Sequence, residues 1–509
     1  MVKKLFVTFS VFISVTLLAA CGSGNDSTVG EDTCPVYDVS EYLNVDLDSK
    51  PTIDFLGPYA DYDPAKDPTA DVVEEVTGYE VNYKRLPSTN AEQTLNTQLG
   101  TGEQYHAVKV TRNQYENLVK QCALLDISDY LDQYGENIKN AISEESWSVV
   151  EYGDGIYGVP ERSSSDNINS TIAFRQDWLD ALDLEVPETP EELKAVLQAF
   201  KDEYGQNDPS FAPLTLQKSD IVIYAISSAF GIYTEWKEID GELYHQTELE
   251  AMQEYLDFMI ELEKDGLLDV AVPTNDNAKA EQKFTQGRAG AIVTYWWRVP
   301  SLVDGLESSA EIGAELSYAE PLKDEEGNRG ILRSTGVNYV TVIPVHMAEQ
   351  AAYAIDWMDK KLVEENFKKI VIGSEDVHHI IDREGNYLPG NKFDEKNNSD
   401  YFITGSYEPK YDEFWLARVH KNEDMYNAWY ALNEKADEYG KYEPLAFAPA
   451  LPVTSDKKHS LAVKQTDQFI NMIFTDNSID SYDNFLNDWK QSGGEATHEE
   501  VNDWYDNKN

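Results

Sequence analysis

Basic residues are scarce in this chain. Lys and Arg number 41 against 93 Asp and Glu, a net charge of −52 over 509 residues. Such a body repels a phosphate backbone instead of neutralising it, which excludes nucleic acid as a partner. It also argues against lying flat on an anionic lipid surface. Anionic ligands such as alginate or pectin fragments would need a local basic pocket to override that field. Cysteine is scarce too, with 3 residues, no CxxC spacing and no nearby His pattern for zinc. Beyond Ala20 no stretch approaches the roughly 18 apolar residues of a membrane span. There is no GxSxG, no HExxH and no Gly-rich phosphate loop. No repeat of about 20–50 residues interrupts the body, and no long linker divides it.

What is present starts with Lys3 and Lys4, then an apolar run from Leu5 to Ala20, then Cys21. A charged n-region, a short h-region and small residues form a secretory signal. Leu18-Ala19-Ala20-Cys21 resembles the bacterial lipobox, whose cysteine is acylated and becomes the mature N-terminus. That implies a signal over 1–21, lipidation at Cys21, and a protein held at the extracellular face of the cell membrane by lipid alone. Residues 22–50 open on Gly22-Ser23-Gly24-Asn25-Asp26-Ser27-Thr28, a flexible tether with no apolar periodicity. Cys34 and Cys122 remain. Outside the cytoplasm that pair is compatible with a disulfide and equally with two buried thiols.

Apolar residues make up 41% and aromatics 12%, enough for a large core. Strand and helix patterns alternate: strands at Pro51–Gly57, Tyr79–Tyr83 and Tyr105–Val110, helices ending at Gly78, over Thr89–Leu99 and over Asn113–Leu124. That alternation predicts an α/β fold with a largely parallel sheet. Thr189-Pro190-Glu191-Glu192 predicts a capping box. Leu249, Met252, Leu256 and Met259 share a helical face that Gly266 closes. Ile355, Met358, Leu362 and Ile370 share another.

Several segments then resemble, in order, the extracellular solute-binding proteins (family 1) of bacterial ABC carbohydrate importers, the LplA-like oligosaccharide-binding group. Gly153-Asp154-Gly155-Ile156-Tyr157-Gly158-Val159-Pro160 resembles the family's dGkiYGvP. Phe174-Arg175-Gln176-Asp177-Trp178-Leu179 is similar to its yRkDWL. Val186-Pro187-Glu188-Thr189-Pro190-Glu191-Glu192-Leu193, Glu263-Lys264-Asp265-Gly266-Leu267-Leu268-Asp269 and Phe284-Thr285-Gln286-Gly287-Arg288-Ala289-Gly290-Ala291 follow suit. Ser481 to Gly494 resembles its C-terminal stretch. Each is weak alone; together, behind a lipobox, they are specific. Some relatives carry a calcium loop where this chain has Lys201 to Pro209. That run lacks the spaced oxygen ligands, so no metal or cofactor is expected.

The resemblance implies a two-lobed clamshell of the periplasmic-binding-protein type II, each lobe a mixed sheet flanked by helices. It places 51–162 with about 322–375 in one lobe and 163–321 with about 376–509 in the other. Crossings are expected near Arg162–Asp166, near Tyr318–Leu322, and again further on. It implies a monomer that binds an oligosaccharide in the cleft and delivers it to ABC transporter permease subunits. Sugars offer C–H faces to aromatic planes and hydroxyls to polar groups. The expected ligand-binding residues are therefore Trp296, Trp297 and Arg298 after the Ala291 strand, Tyr62, Arg112 and Asn113 after the first and third strands, and Trp415. Tyr59, Asp61, Thr111, Asn338 and Tyr339 are further candidates. A surface polysaccharide-degrading enzyme is the alternative. It needs two carboxylates at a set separation, but 93 acids make such pairs undiagnostic. A binding lipoprotein for peptide or siderophore would share the clamshell.

Overall fold

A computed structural model describes residues 34–163, 166–206, 208–309 and 314–508. The signal over 1–21, Cys21 and the first part of the tether lie outside the described residues.

The first lobe grows from apolar strands alternating with capped helices. Ile53–Gly57 (β1) leads to a helix over Pro68–Thr77. Asp67 caps it by accepting the Thr69 N–H at 2.9 Å, Pro68 occupies its first position, and Gly78 ends it at φ 70°, a region where a Cβ is costly. Val81–Arg85 (β2) and Ala107–Thr111 (β3) follow. Thr111 and Gln114 form a reciprocal capping box at the start of Arg112–Lys120 (α1). Val159–Arg162 (β4) completes this pass.

The chain then crosses to the second lobe. It builds Ser170–Arg175 (β5), Leu214–Thr215 (β6), Ala291–Tyr295 (β7) and Leu316–Tyr318 (β8), and returns through Ile331–Arg333 (β9) to Val337–Val342 (β10). The first sheet has the order β2-β1-β3-β10-β4 and the second β8-β5-β7-β6. β1 runs parallel to β2 and β3, while β10 runs antiparallel to β3 and β4. The return strand is thus wedged between strands of the first pass, which locks the two crossovers side by side. The protein is a two-lobed α/β clamshell with mixed sheets flanked by helices.

The C-terminal third adds Tyr411–Val419 (α2), Glu423–Asn433 (α3), Gly440–Tyr442 (β11, parallel to β9) and Pro452–Asn471 (α4). Two large cores result, one centred on residues 53–142 and 343–417, the other on 168–331 and 419–489. Three expectations are corrected by this packing. Phe393, Tyr401, Phe402, Tyr411 and Phe414 pack into the first core, although 376–509 was expected in the second lobe. Ala319, Leu322 and Ile331 are still in the second core, so the return crossing lies after Ile331 and not at 318–322. The face of Ile355, Met358, Leu362 and Ile370 is buried, but it belongs to two helices, Ala351–Lys361 and Glu364–Ile372, separated at extended Val363. At Thr189 the hydroxyl accepts the Glu192 N–H at 3.2 Å as expected, while the Glu192 carboxylate reaches the Glu188 N–H.

Candidate functional site

Strand ends of both lobes converge on the crossovers. In the first sheet β1 ends at Gly57 and β3 at Thr111, while β10 starts opposite the end of β4, with Val337 paired to Arg162. In the second sheet β7 ends at Tyr295 opposite Ser170, the first residue of β5. The two crossovers are stitched together: Ser163 N–H donates to the Gly336 carbonyl at 2.9 Å and Ser334 N–H to the Asn167 carbonyl at 2.8 Å. Gly336 sits at φ 106°, and a Cβ there would lie 2.7 Å from the Ala446 carbonyl oxygen, so only glycine lets the strand pass. α3 braces the same point, with the Trp429 indole N–H on Asn167 Oδ1 at 2.9 Å. A cleft at strand ends beside a crossover is where open α/β sheets bind ligands.

Three cavities open along that edge. One of about 270 Å³ is lined by Arg112, Asn113, Asn338, Glu235, Glu443 and Lys458. A second of about 360 Å³ is lined by Ser170, Asp220, Tyr224, Glu235, Gln246 and Tyr295. They share Glu235 and Ala462. A third of about 390 Å³ lies at the end of β1 among Tyr59, Asp61, Tyr62, Lys109, Tyr339 and Tyr401.

The expected site residues divide between these surfaces and the interior. The Trp297 indole is 43% exposed and stacks on Tyr295, with ring centroids 4.9 Å apart and planes inclined by 28°. Trp296 is 8% exposed. Its N–H donates to Asn169 Oδ1 at 3.2 Å and its ring meets Trp415 edge-on at 5.5 Å. Trp415 packs against both large cores, so the pair joins the lobes. Trp296–Arg298 is a single 3-10 turn, in which successive side chains point about 120° apart, so one indole turns inward and the other outward. Arg298 is closed on Glu281 by two bonds of 2.6 Å. Arg112 donates to the Ala446 and Ala448 carbonyls at 2.7 Å each and to Glu116 at 3.1 Å, which binds α1 to the segment before α4. Asn113 is exposed on the first cavity's rim. Tyr62 is half-buried, and burial followed by the Asp67 and Asp400 charges pushes its phenol above its ordinary range. His378 and His379 bond separate partners, Glu395 and the Ile372 carbonyl.

Sequence reasoning missed Asp220, Glu235, Gln246 and Glu443. No motif marks them, and three are among 93 acids. The Glu443 carboxylate accepts the Glu235 N–H at 2.8 Å and the Trp236 N–H at 3.3 Å. Burial, then the Glu235 charge, pushes it up to about 8. Burial also works against Glu235, but the hydrogen bond and charge of His245, with Lys458, bring it down to about 2. The sign follows. From the ordinary 4.5 upward, the unfolded Glu443 ionises while the folded one keeps its proton. Its contribution to stability therefore falls as pH rises from 4.5 to about 8 and is level above. Glu235 acts oppositely, stabilising above the ordinary value and losing that as pH falls toward 2. Glu443→Gln keeps an acceptor oxygen for both N–H groups. It should melt above the parent at alkaline pH and level with it at acid pH. Parallel melting curves across that window would refute the assignment.

Among the described residues no helix is long and apolar enough to cross a membrane, and no group of His, Cys, Asp and Glu is placed to hold a metal ion. Residues 69–372 match the family of bacterial extracellular solute-binding proteins. A protein of Niallia circulans, from the region 5′ of butB, is 33% identical over 256 residues, covering 50% of this chain and 99% of that one. The polygalacturonan/rhamnogalacturonan-binding protein YtcQ of Bacillus subtilis is 24% identical over 345 residues, 65% of this chain and 67% of its own. Among solved structures, the alginate-binding protein AlgQ2 without calcium superposes with a TM-score of 0.68 at 16% identity, covering 90% of this chain and 99% of that one.

Proposed function

Because the chain belongs to the bacterial extracellular solute-binding proteins, we propose that it captures an oligosaccharide in the interlobe cleft and hands it unaltered to the permease of an ABC transporter. The observation that carries this reading is the exposed Trp297–Tyr295 stack beside a cavity edged by hydrogen-bonding side chains. An indole plane covers a sugar's C–H face and neighbouring polar groups take its hydroxyls. Closing the lobes around the sugar forms the surface that a permease recognises. The protein acts as a monomer, tethered through an acylated Cys21, with the clamshell free in the extracellular space.

Calorimetry against a glycan panel tests the reading. At least one oligosaccharide should bind, and chromatography should recover it intact. Cleaved sugar would make the protein an enzyme; binding of peptide or siderophore in preference to every glycan would move it to that class. Palmitate label on a Cys21→Ser variant would overturn the lipid anchor.

A further inference from the structure

We infer that the 360 Å³ cavity at the edge of the second sheet is a specificity subsite for an uncharged sugar residue, where Asp220 and Glu235 accept ligand hydroxyls and turn uronates away. This deepens the oligosaccharide reading above and rests on it.

The Asp220 carboxylate is half-buried and held by neutral donors. The Tyr295 hydroxyl donates at 2.9 Å and the Gln217 amide at 3.0 and 3.1 Å. Tyr295 thereby couples the acid to the Trp297 platform stacked on it. Gln246 gives an independent sign of a ligand. It is 7% exposed, lines the same cavity, and its Oε1 has no partner. A buried amide oxygen left without a donor costs free energy that a ligand hydroxyl would return.

Charge decides the ligand class. Among the described residues lining this cavity there is no Lys, Arg or His, while Asp220 and Glu235 are both there. Most cations of the neighbouring cavities are already engaged by the protein. Arg112 is bonded to two carbonyls and Glu116. Lys458 lies in the field of both Glu235 and Glu443. Lys109 donates to the Asp400 carbonyl at 2.6 Å and meets Glu161 at 2.5 Å. Arg298, next to Trp297, is closed on Glu281. A uronate in this site would set its carboxylate against Asp220 and Glu235, of which only Glu235 has cationic neighbours, His245 and Lys458, and these lie outside the cavity lining, at an effective dielectric far below that of water. A neutral sugar instead donates hydroxyls to carboxylates, the stronger class of hydrogen bond. By this criterion the cleft differs from the acidic-polysaccharide specificity named for YtcQ and AlgQ2.

The test is calorimetry at low and high salt with mannotriose, xylotriose and kestose against trigalacturonate and trimannuronate. A neutral trisaccharide should bind roughly tenfold or more tightly than either uronate at low salt, with the gap narrowing as salt screens the repulsion. Asp220→Asn keeps the shape and an acceptor for Tyr295. It should lose roughly tenfold or more in neutral-sugar affinity, the scale of a hydrogen bond to a charged group. Ser219 is exposed on the cavity rim, so Ser219→Lys should fold normally and raise uronate affinity. Uronates binding as tightly as the neutral sugars, or either variant leaving its affinities unchanged, overturns the inference while the oligosaccharide reading stands. If no glycan of either kind binds, both fall.

Discussion

Trp296→Ala should cost roughly 3–5 kcal/mol of stability, the range for removing a large aromatic from a packed interior. Trp297→Ala should leave the melting temperature nearly unchanged. The residues are adjacent, yet Trp296 is 8% exposed and Trp297 43%. The loss at Trp296 has two components. Apolar area leaves the second core, and the edge-on contact with Trp415, which packs against both cores, is gone. Aromatic pairs contribute about 0.5–1.5 kcal/mol beyond area burial, and here that increment lies between lobes. Trp297→Ala should instead weaken oligosaccharide binding by roughly 1–3 kcal/mol, the scale of stacking a flat ligand on an aromatic side chain. Thermal melts and calorimetry on the two variants separate the effects. A Trp297→Ala protein that melts far below the parent would show the indole to be packing; normal binding would remove it from the site.

The alternation of strands and helices was legible because apolar periodicity and punctuation agreed. Gly78 ends a helix in the sequence pattern and in the structure alike, whereas the Thr111 capping box, unread in the sequence, starts the next helix at Arg112 instead of Asn113. The signature at Gly153–Pro160 and its companions carried the two-lobed architecture. Two kinds of information were absent from local sequence. One is which lobe a late segment joins. Phe393 to Phe414 sets a few aromatic and apolar residues among Asp, Glu, Lys and Asn without a clear period, and only the shape of the first core, with Phe55, Trp357 and Phe367 as partners, recruits it. The other is whether a charged side chain near the cleft is available. Arg112 read as a ligand contact and Arg298 as either a hydroxyl binder or a lock on a carboxylate; contacts with Ala446 and Ala448 occupy the first guanidinium, and Glu281 takes the second in the carboxylate lock. Conversely Asp220 is one acid among 93 in the sequence, distinguished only by the fold that puts Tyr295 and Gln246 beside it. Pattern fixes elements; occupancy of a polar group is a three-dimensional property.

Removing the Cys34–Cys122 disulfide is expected to cost up to about 4.6 kcal/mol on the chain-entropy estimate for a loop of this size. Cys34 and Cys122, which the sequence left open between a disulfide and two thiols, are bonded to each other in the structure and lie 88 apart in sequence. The bond ties the start of the described body to the turn after α1, the helix that Arg112 fastens to the Ala446–Ala448 segment. Its full effect requires that the segment after Cys34 be packed. Val39 is 5% exposed in the first core, and the Leu43 carbonyl accepts the Gln133 amide at 2.9 Å together with the Tyr134 hydroxyl. Opening the loop therefore gives up native contacts as well as the cross-link. A Cys34→Ser/Cys122→Ser protein should melt lower than the oxidised parent, and adding reductant to the parent should reproduce most of that loss. The variant itself should not respond to reductant. If parent and variant melt together, residues 34–52 fray independently of the lobe, and the disulfide closes a loop that the folded core does not use.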